Sequence, residues 1–274
     1  MAPESQGPSA SAPDALRSET SQRRCGGRDR RFAPRCTMSR AIPDNVAATR
    51  RILAMQRAVR VRSPYREAER AADHAVHIVA LVAAGAGAVA MVMRAAVSAD
   101  LLTFFAALVY SLALLAMLGA SAAHNRGRSR AGEEFRRRID HAAIFVMIAG
   151  TYTPFTMRLL SGGLAIGLTA GIWALALVGA LMKLRYPRHF GRLSIVIYLG
   201  FGWLGLFLVP SLFASLPQPA AFLIVAGGGL YSVGAAFHVW KTLPFQNAIW
   251  HGFVVLAAGC HYAAIWQAVV VAGT

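Results

Sequence analysis

Charge is almost missing from the last two thirds of this chain, except in short clusters. The stretches 101–125, 141–157, 159–182, 193–240 and 242–274 contain no Asp, Glu, Lys or Arg, and 74–93 precedes them with the same property. A helix rises about 1.5 Å per residue, so roughly 20 apolar residues cross a hydrocarbon core. Most of these runs meet that length. They predict an all-α, polytopic membrane protein, and any chemistry it performs has to be placed relative to a bilayer.

Composition agrees. Of 274 residues 56% are hydrophobic and 15% charged, too few charges for a soluble surface of this size. The net charge of +16 is concentrated at the N-terminus, where 15 of the 28 basic residues precede Ala71. A basic tail beside apolar helices suits anionic lipid headgroups better than nucleic acid. Residues 1–66 read as a basic cytoplasmic tail. Its first forty residues, rich in Ser, Pro, Gly and Arg with no apolar core of a signal peptide, are expected to be disordered, and Met38 offers an alternative start. Within 41–66, Ile52, Leu53, Met55, Ala58 and Val59 sit at helical spacing, so a helix lying on the leaflet is one reading and a solvated tail the other. Cys25, Cys36 and Cys260 form no disulfide framework and read as free thiols.

The membrane domain, 67–274, divides into seven expected spans: about 75–93, 101–123, 139–160, 164–184, 193–214, 220–240 and 249–272. Ser161-Gly162-Gly163 turns the third into the fourth, and Pro217 and Pro219 split the long run 193–240. The small residues at 84–88 and 227–229 lie inside apolar spans, where they favour close helix packing. Basic residues alternate sides. Arg126, Arg128, Arg130 and Arg136–Arg138 fill one connection, Lys183, Arg185, Arg188 and Arg192 another, and Lys241 a third, against only Arg94 and Arg158 opposite. The asymmetry predicts a cytoplasmic N-terminus and an external C-terminus.

Seven of the eight histidines fall at or near the expected cytoplasmic helix ends: His74, His77, His124, His141, His189, His238 and His251. Only His261 lies deep, about 15 Å along its helix from His251. With Glu69, Asp73 and Asp140 they make a His/carboxylate cluster at one membrane face, and ionisable groups there mark function by default. Each has a plainer reading. Asp73 and His77 at i,i+4 can be a helix-stabilising pair, and Asp140 follows three arginines that it can salt-bridge. Residue types alone leave metal binding open.

The segment Arg138-Ile139-Asp140-His141 through Gly150-Thr151-Tyr152-Thr153-Pro154-Phe155 resembles the third-helix signature of the hemolysin III family. That family is the bacterial branch related to the progestin and adipoQ receptors, grouped with alkaline ceramidases among membrane hydrolases. Tyr198 to Trp203, Gly228 to Gly234, and Ala248-Ile249-Trp250-His251-Gly252-Phe253-Val254-Val255 followed by His261-Tyr262 are similar too. The resemblance covers about residues 67 to 270 in order.

It implies a zinc site: a Ser-x-x-x-His on the second helix, an Asp opening the third, and a His-x-x-x-His on the seventh. Three nitrogen ligands and one open position let zinc lower the pKa of a bound water to about 7, which the Asp can hold or deprotonate. The chain departs twice. His124 has Ala120 four residues before it, with Ser121 the nearest serine, and Asn247 stands where the first seventh-helix histidine is expected. An amide oxygen is a poor zinc ligand beside imidazole. Either His124, His251 and Asp140 form a two-histidine, one-carboxylate site with Asn247 as weak ligand or water holder, or the site is degenerate and works without metal.

The reading that follows is an inner-membrane, zinc-dependent hydrolase-like protein acting on an amide or ester of a lipid at the cytoplasmic leaflet. His124 and His251 hold the metal, Asp140 is the base, and Ser121 hydrogen-bonds a neighbour or substrate. The rival is a non-enzymatic regulator or sensor of membrane lipid state. A haemolytic pore fits poorly, because the spans are too uniformly apolar to line an aqueous channel.

Overall fold

The structure, a computed structural model, describes residues 48–53, 64–97, 100–126, 132–186, 193–208 and 214–271. Residues 48–53 are helical and exposed; the other residues of the tail before Pro64, with their expected disorder, and His189 lie outside the described residues. Those from Pro64 onward form helices α1 (Pro64–Val97), α2 (Leu101–Arg126), α3 (Glu133–Leu159), α4 (Gly162–Arg185), α5 (Leu193–Leu208), α6 (Gln218–Val239) and α7 (Gln246–Ile265), the last running into a π-helical turn, Trp266–Val271. Six of them are long and apolar enough to cross a membrane; α5, with 16 described residues, is shorter. The chain is a multi-pass membrane protein.

α1, α2 and α3 run past the expected spans because hydrophobicity ends before helicity does. α3 begins at Glu133, one residue after Gly132 at φ 80°, so Arg136–Arg138 form part of the helix. There Glu134 takes both Arg137 (3.2 Å) and Arg138 (3.3 Å), and among the described residues Asp140 forms no ion pair with either. At the other end Arg158 pairs with Asp100 Oδ2 at 2.7 Å. Asp100 also accepts from the Leu102 N–H (3.1 Å) and the Thr103 hydroxyl (2.7 Å) at the start of α2. The Thr103 bond, helped by the Leu102 N–H and Arg158, holds the Asp100 carboxyl below the usual carboxylate range.

α1 packs on α2, α2 on α3 and α3 on α4, while α6 packs on α7 and α7 returns to α1. The buried hydrophobic residues are mostly alanines, and close approach replaces bulk. A Cβ on buried Gly150 of α3 would stand 2.5 Å from the Ala113 Cβ of α2. Polar groups bridge α3 and α4: Thr156 and Thr169 share a hydroxyl bond at 2.7 Å, and Trp173 Nε1 donates to Thr153 Oγ1 at 3.0 Å.

α5 is held differently. The Tyr152 hydroxyl of α3 donates to the Gly202 carbonyl (2.7 Å) and accepts from the Gly205 N–H (2.8 Å). It enters the backbone ladder of α5, and a Cβ at Gly205 would collide with its ring. Within the polar patch of α3, Tyr152 therefore serves to seat α5, while Thr153 faces α4.

Candidate functional site

Asp73 and His77 belong to a stripe on α1 that continues through Ala80, Ala84, Ala88, Met91 and Ala95, all buried. Spacings of three and four put one helical face against the bundle, so the carboxylate and imidazole point inward with the alanines. One turn earlier, Glu69 accepts the Phe245 N–H at 2.9 Å, where the chain enters α7 in the left-handed conformation at φ 56°. Successive turns of α1 thus fix the start of α7 and then His251, whose Nδ1–H donates to Asp73 Oδ1 at 2.6 Å.

His77 Nδ1–H donates to the Asp73 carbonyl at 2.8 Å. With Nδ1–H donating, a neutral imidazole at either position presents an Nε2 lone pair. The two Nε2 atoms face the same group, the Ser121 hydroxyl of α2, at 3.2 Å for His77 and 3.4 Å for His251. A hydroxyl has one proton and can satisfy one of them; the Asn125 amide approaches His77 Nε2 only at 3.5 Å. Two aligned lone pairs with one and a half donors between them are well suited to an electrophile.

Ligand atoms of Asp73, His77 and His251 all lie within 4.8 Å of one another. Around zinc, ligand nitrogens at about 2.0–2.1 Å from the ion sit roughly 3.5 Å apart, so the three residues stand near the spacing that an ion would need. The donor set fits such an ion: two oriented imidazoles, a carboxylate behind one of them, and the open hydroxyl position between.

These groups stand at the polar end of a cavity of about 380 Å³ whose walls further in include Met117, Met147, Phe155, Leu206 and Val254. Of the residues singled out from sequence, His251 and Ser121 meet directly. His124, Asp140 and Asn247 line the same cavity. His124 Nδ1 is buried without a hydrogen-bond partner among the described residues, and its ring is close enough to His251 for their charges to interact. The Asp140 carboxyl sits beside Ser121 and His251. Asn247 is exposed at the second residue of α7. His261 also lines the cavity, bonded through Nε2 to the Ile224 carbonyl at 3.3 Å.

Asp73 and His77 were legible as members of the His/carboxylate cluster at one membrane face and as a local pair, but not as partners of His251. The bond that gives them a role joins residues 178 apart in sequence, and the signal available was their place on the apolar stripe of α1.

A model of the family described as haemolysin-III related matches residues 66–262. The chain is 48% identical over 117 residues to the hemolysin-3 homolog of Bacillus subtilis (strain 168), covering 43% of this chain and 55% of that one. Hemolysin-3 of Bacillus cereus is 45% identical over 117 residues, 43% of this chain and 53% of that protein. The human monocyte to macrophage differentiation factor is 31% identical over 133 residues, 47% of this chain and 53% of the relative. The chain spans about half the length of the curated relatives it matches. No solved structure matches it.

Proposed function

This chain belongs to the haemolysin-III related family, and from that premise we propose that it is a zinc-dependent hydrolase of the bacterial inner membrane acting on an amide or ester bond of a lipid. The observation that carries the reading is the convergence of His77 Nε2 and His251 Nε2 on Ser121, in a largely apolar cavity. In this reading the helices make seven spans, with α5 as the short one. The basic ends of α2, α3 and α4 face the cytoplasm and anionic headgroups, so the site opens toward the inner leaflet and the C-terminus lies outside.

His77, His124 and His251 hold the ion, His77 replacing the imidazole that Asn247 does not supply. Zinc, when bound, polarises the scissile carbonyl and acidifies water. The chain's own groups do the rest. Asp73 fixes the His251 ring and its tautomer. Asp140 takes the proton from water as its oxygen adds to the carbonyl carbon, then returns it to the nitrogen or oxygen that leaves. Ser121 donates a hydrogen bond at the reacting carbonyl, Asn247 holds water at the mouth, and the apolar walls seat the lipid chain and exclude bulk water. Purified protein offered an amide-linked lipid should release free amine, and Asp140→Asn should lower that rate by about 100-fold or more; turnover unaffected by Asp140→Asn contradicts this mechanism.

A second reading, a sensor of membrane lipid state, is favoured by Asn247, which weakens the ligand set on α7. Lipid profiles of cells with and without the protein separate the two. A single accumulating amide- or ester-linked lipid supports hydrolysis, and a diffuse change of acyl composition supports sensing.

A further inference from the structure

Lys183 sits in the last turn of α4, where the sequence places a solvated basic residue of a connecting loop. The structure buries it instead: Lys183 is 5% exposed and Ser194, the second residue of α5, is 3% exposed. The ammonium donates to the Ser194 hydroxyl and, among the described residues, forms no ion pair with a carboxylate. Its charged neighbours are cationic or titrate to cations, Arg137 and His141 of α3. Arg137 is partly neutralised by Glu134, which is shared with Arg138. A buried ammonium surrounded by positive charge and served by one hydroxyl lacks an anion.

The space beside it indicates what that anion is attached to. α5 leans on α3 and α6 and stands off from α4, leaving a groove of about 330 Å³ with Phe145 of α3 at its floor. Its walls are Leu175 and Val178 of α4 and Ile197, Phe201 and Leu204 of α5, and among the described residues that line it the charged or hydroxyl-bearing ones are Lys183 and Ser194, at one end. Leu175 and Val178 are about half exposed, so the groove opens outward, toward lipid in a membrane. One cation and one hydroxyl at the end of an apolar channel match a headgroup phosphate on an acyl chain.

We propose that the gap between α4 and α5 is a binding site for an anionic phospholipid, its phosphate on Lys183 and Ser194 and one acyl chain along Phe145, Val178, Ile197 and Phe201. The occupant is a membrane lipid rather than free phosphate, because the groove behind the cation is apolar and offers no second polar group to an inorganic ion. It is separate from the hydrolytic reading: the groove meets the central cavity only at Ser194, which lines both.

The test uses the full chain, stripped of lipid in a non-ionic detergent, titrated with phosphatidylglycerol or phosphatidylcholine of equal chain length and followed by native mass spectrometry. Wild type is expected to bind phosphatidylglycerol about tenfold more tightly than phosphatidylcholine, the scale of one charge-assisted contact. Lys183→Met should bring the two lipids to parity without lowering the melting temperature of the stripped protein. Gly200→Leu tests the groove independently: a Cβ there meets nothing within 4 Å, and the added side chain should weaken both lipids. Should Lys183→Met fail to fold, Ser194→Ala and Gly200→Leu carry the test. Equal affinity of wild type for both lipids, a preference retained in the folded Lys183→Met or, in its place, Ser194→Ala, unchanged binding in Gly200→Leu, or equal stabilisation by inorganic phosphate overturns the proposal.

Discussion

Replacing Asp73 separates a metal ligand from a residue that orients one. Its side chain is 8% exposed, that of His251 13%, and their bond is 2.6 Å. Asp73→Ala leaves the His251 Nδ1–H without a partner where little water can enter, at a cost of about 1–3 kcal/mol. Removing a carboxylate that supports a metal-bound imidazole typically lowers metal affinity by about 10–100-fold, which is about 1.4–2.7 kcal/mol. The two ranges overlap, so Asp73→Ala should raise the apparent zinc Kd by about 10–100-fold. Asp73→Asn, whose amide oxygen still accepts from Nδ1, should raise it by less than about tenfold. His251→Ala should abolish measurable binding. The assay is competition against a chromogenic chelator in detergent, with a circular-dichroism melt beside it to show each variant folded. If Asp73→Asn loses zinc as completely as His251→Ala, Asp73 is a direct ligand and the orienting role is wrong. If Asp73→Ala binds zinc like wild type, the 2.6 Å bond has no part in the site.

Tyr152→Phe removes the hydroxyl that holds α5 and leaves the Gly205 N–H unpaired, so stability should fall by about 1–3 kcal/mol; a melting temperature equal to wild type refutes that seating. Gly150→Ala forces the backbones of α2 and α3 apart, because the new methyl would stand 2.5 Å from Ala113, and should cost about 1–3 kcal/mol in the same melt. Asp100 has a folded pKa below its unfolded one. Its contribution is therefore complete above the unfolded value of about 4 and is lost as pH falls through the folded value. Asp100→Ala should cost about 1 kcal/mol near neutrality, with the difference from wild type shrinking in acid; a pH-independent difference contradicts the assignment.

The helices were readable because lipid admits few alternatives to an apolar run of that length, and Pro217 and Gly162 mark real helix starts. What the sequence concealed was direction and partner. Arg158 reads only as one of two basic residues on the side away from the basic clusters, yet Asp100, beyond the end of α1, gives it a carboxylate. Lys183 reads as a loop cation, and the gap beside α5 buries it. Tyr152 reads as part of a polar patch, while its task lies in the ladder of another helix. At the site, Ser121, His124, Asp140 and His251 were identified from motif residues, and all line one cavity. Asp73 and His77 escaped because spacing within α1 says only that they share a face, and their use depends on α7 returning beside α1.

X-ray absorption at the zinc edge on the purified full chain tests the metal reading most directly. Stoichiometric zinc with about three imidazole nitrogens at about 2.0–2.1 Å is expected, falling by one imidazole in His77→Ala. A metal-replete preparation that holds no zinc, or an imidazole shell that His77→Ala leaves intact, contradicts it.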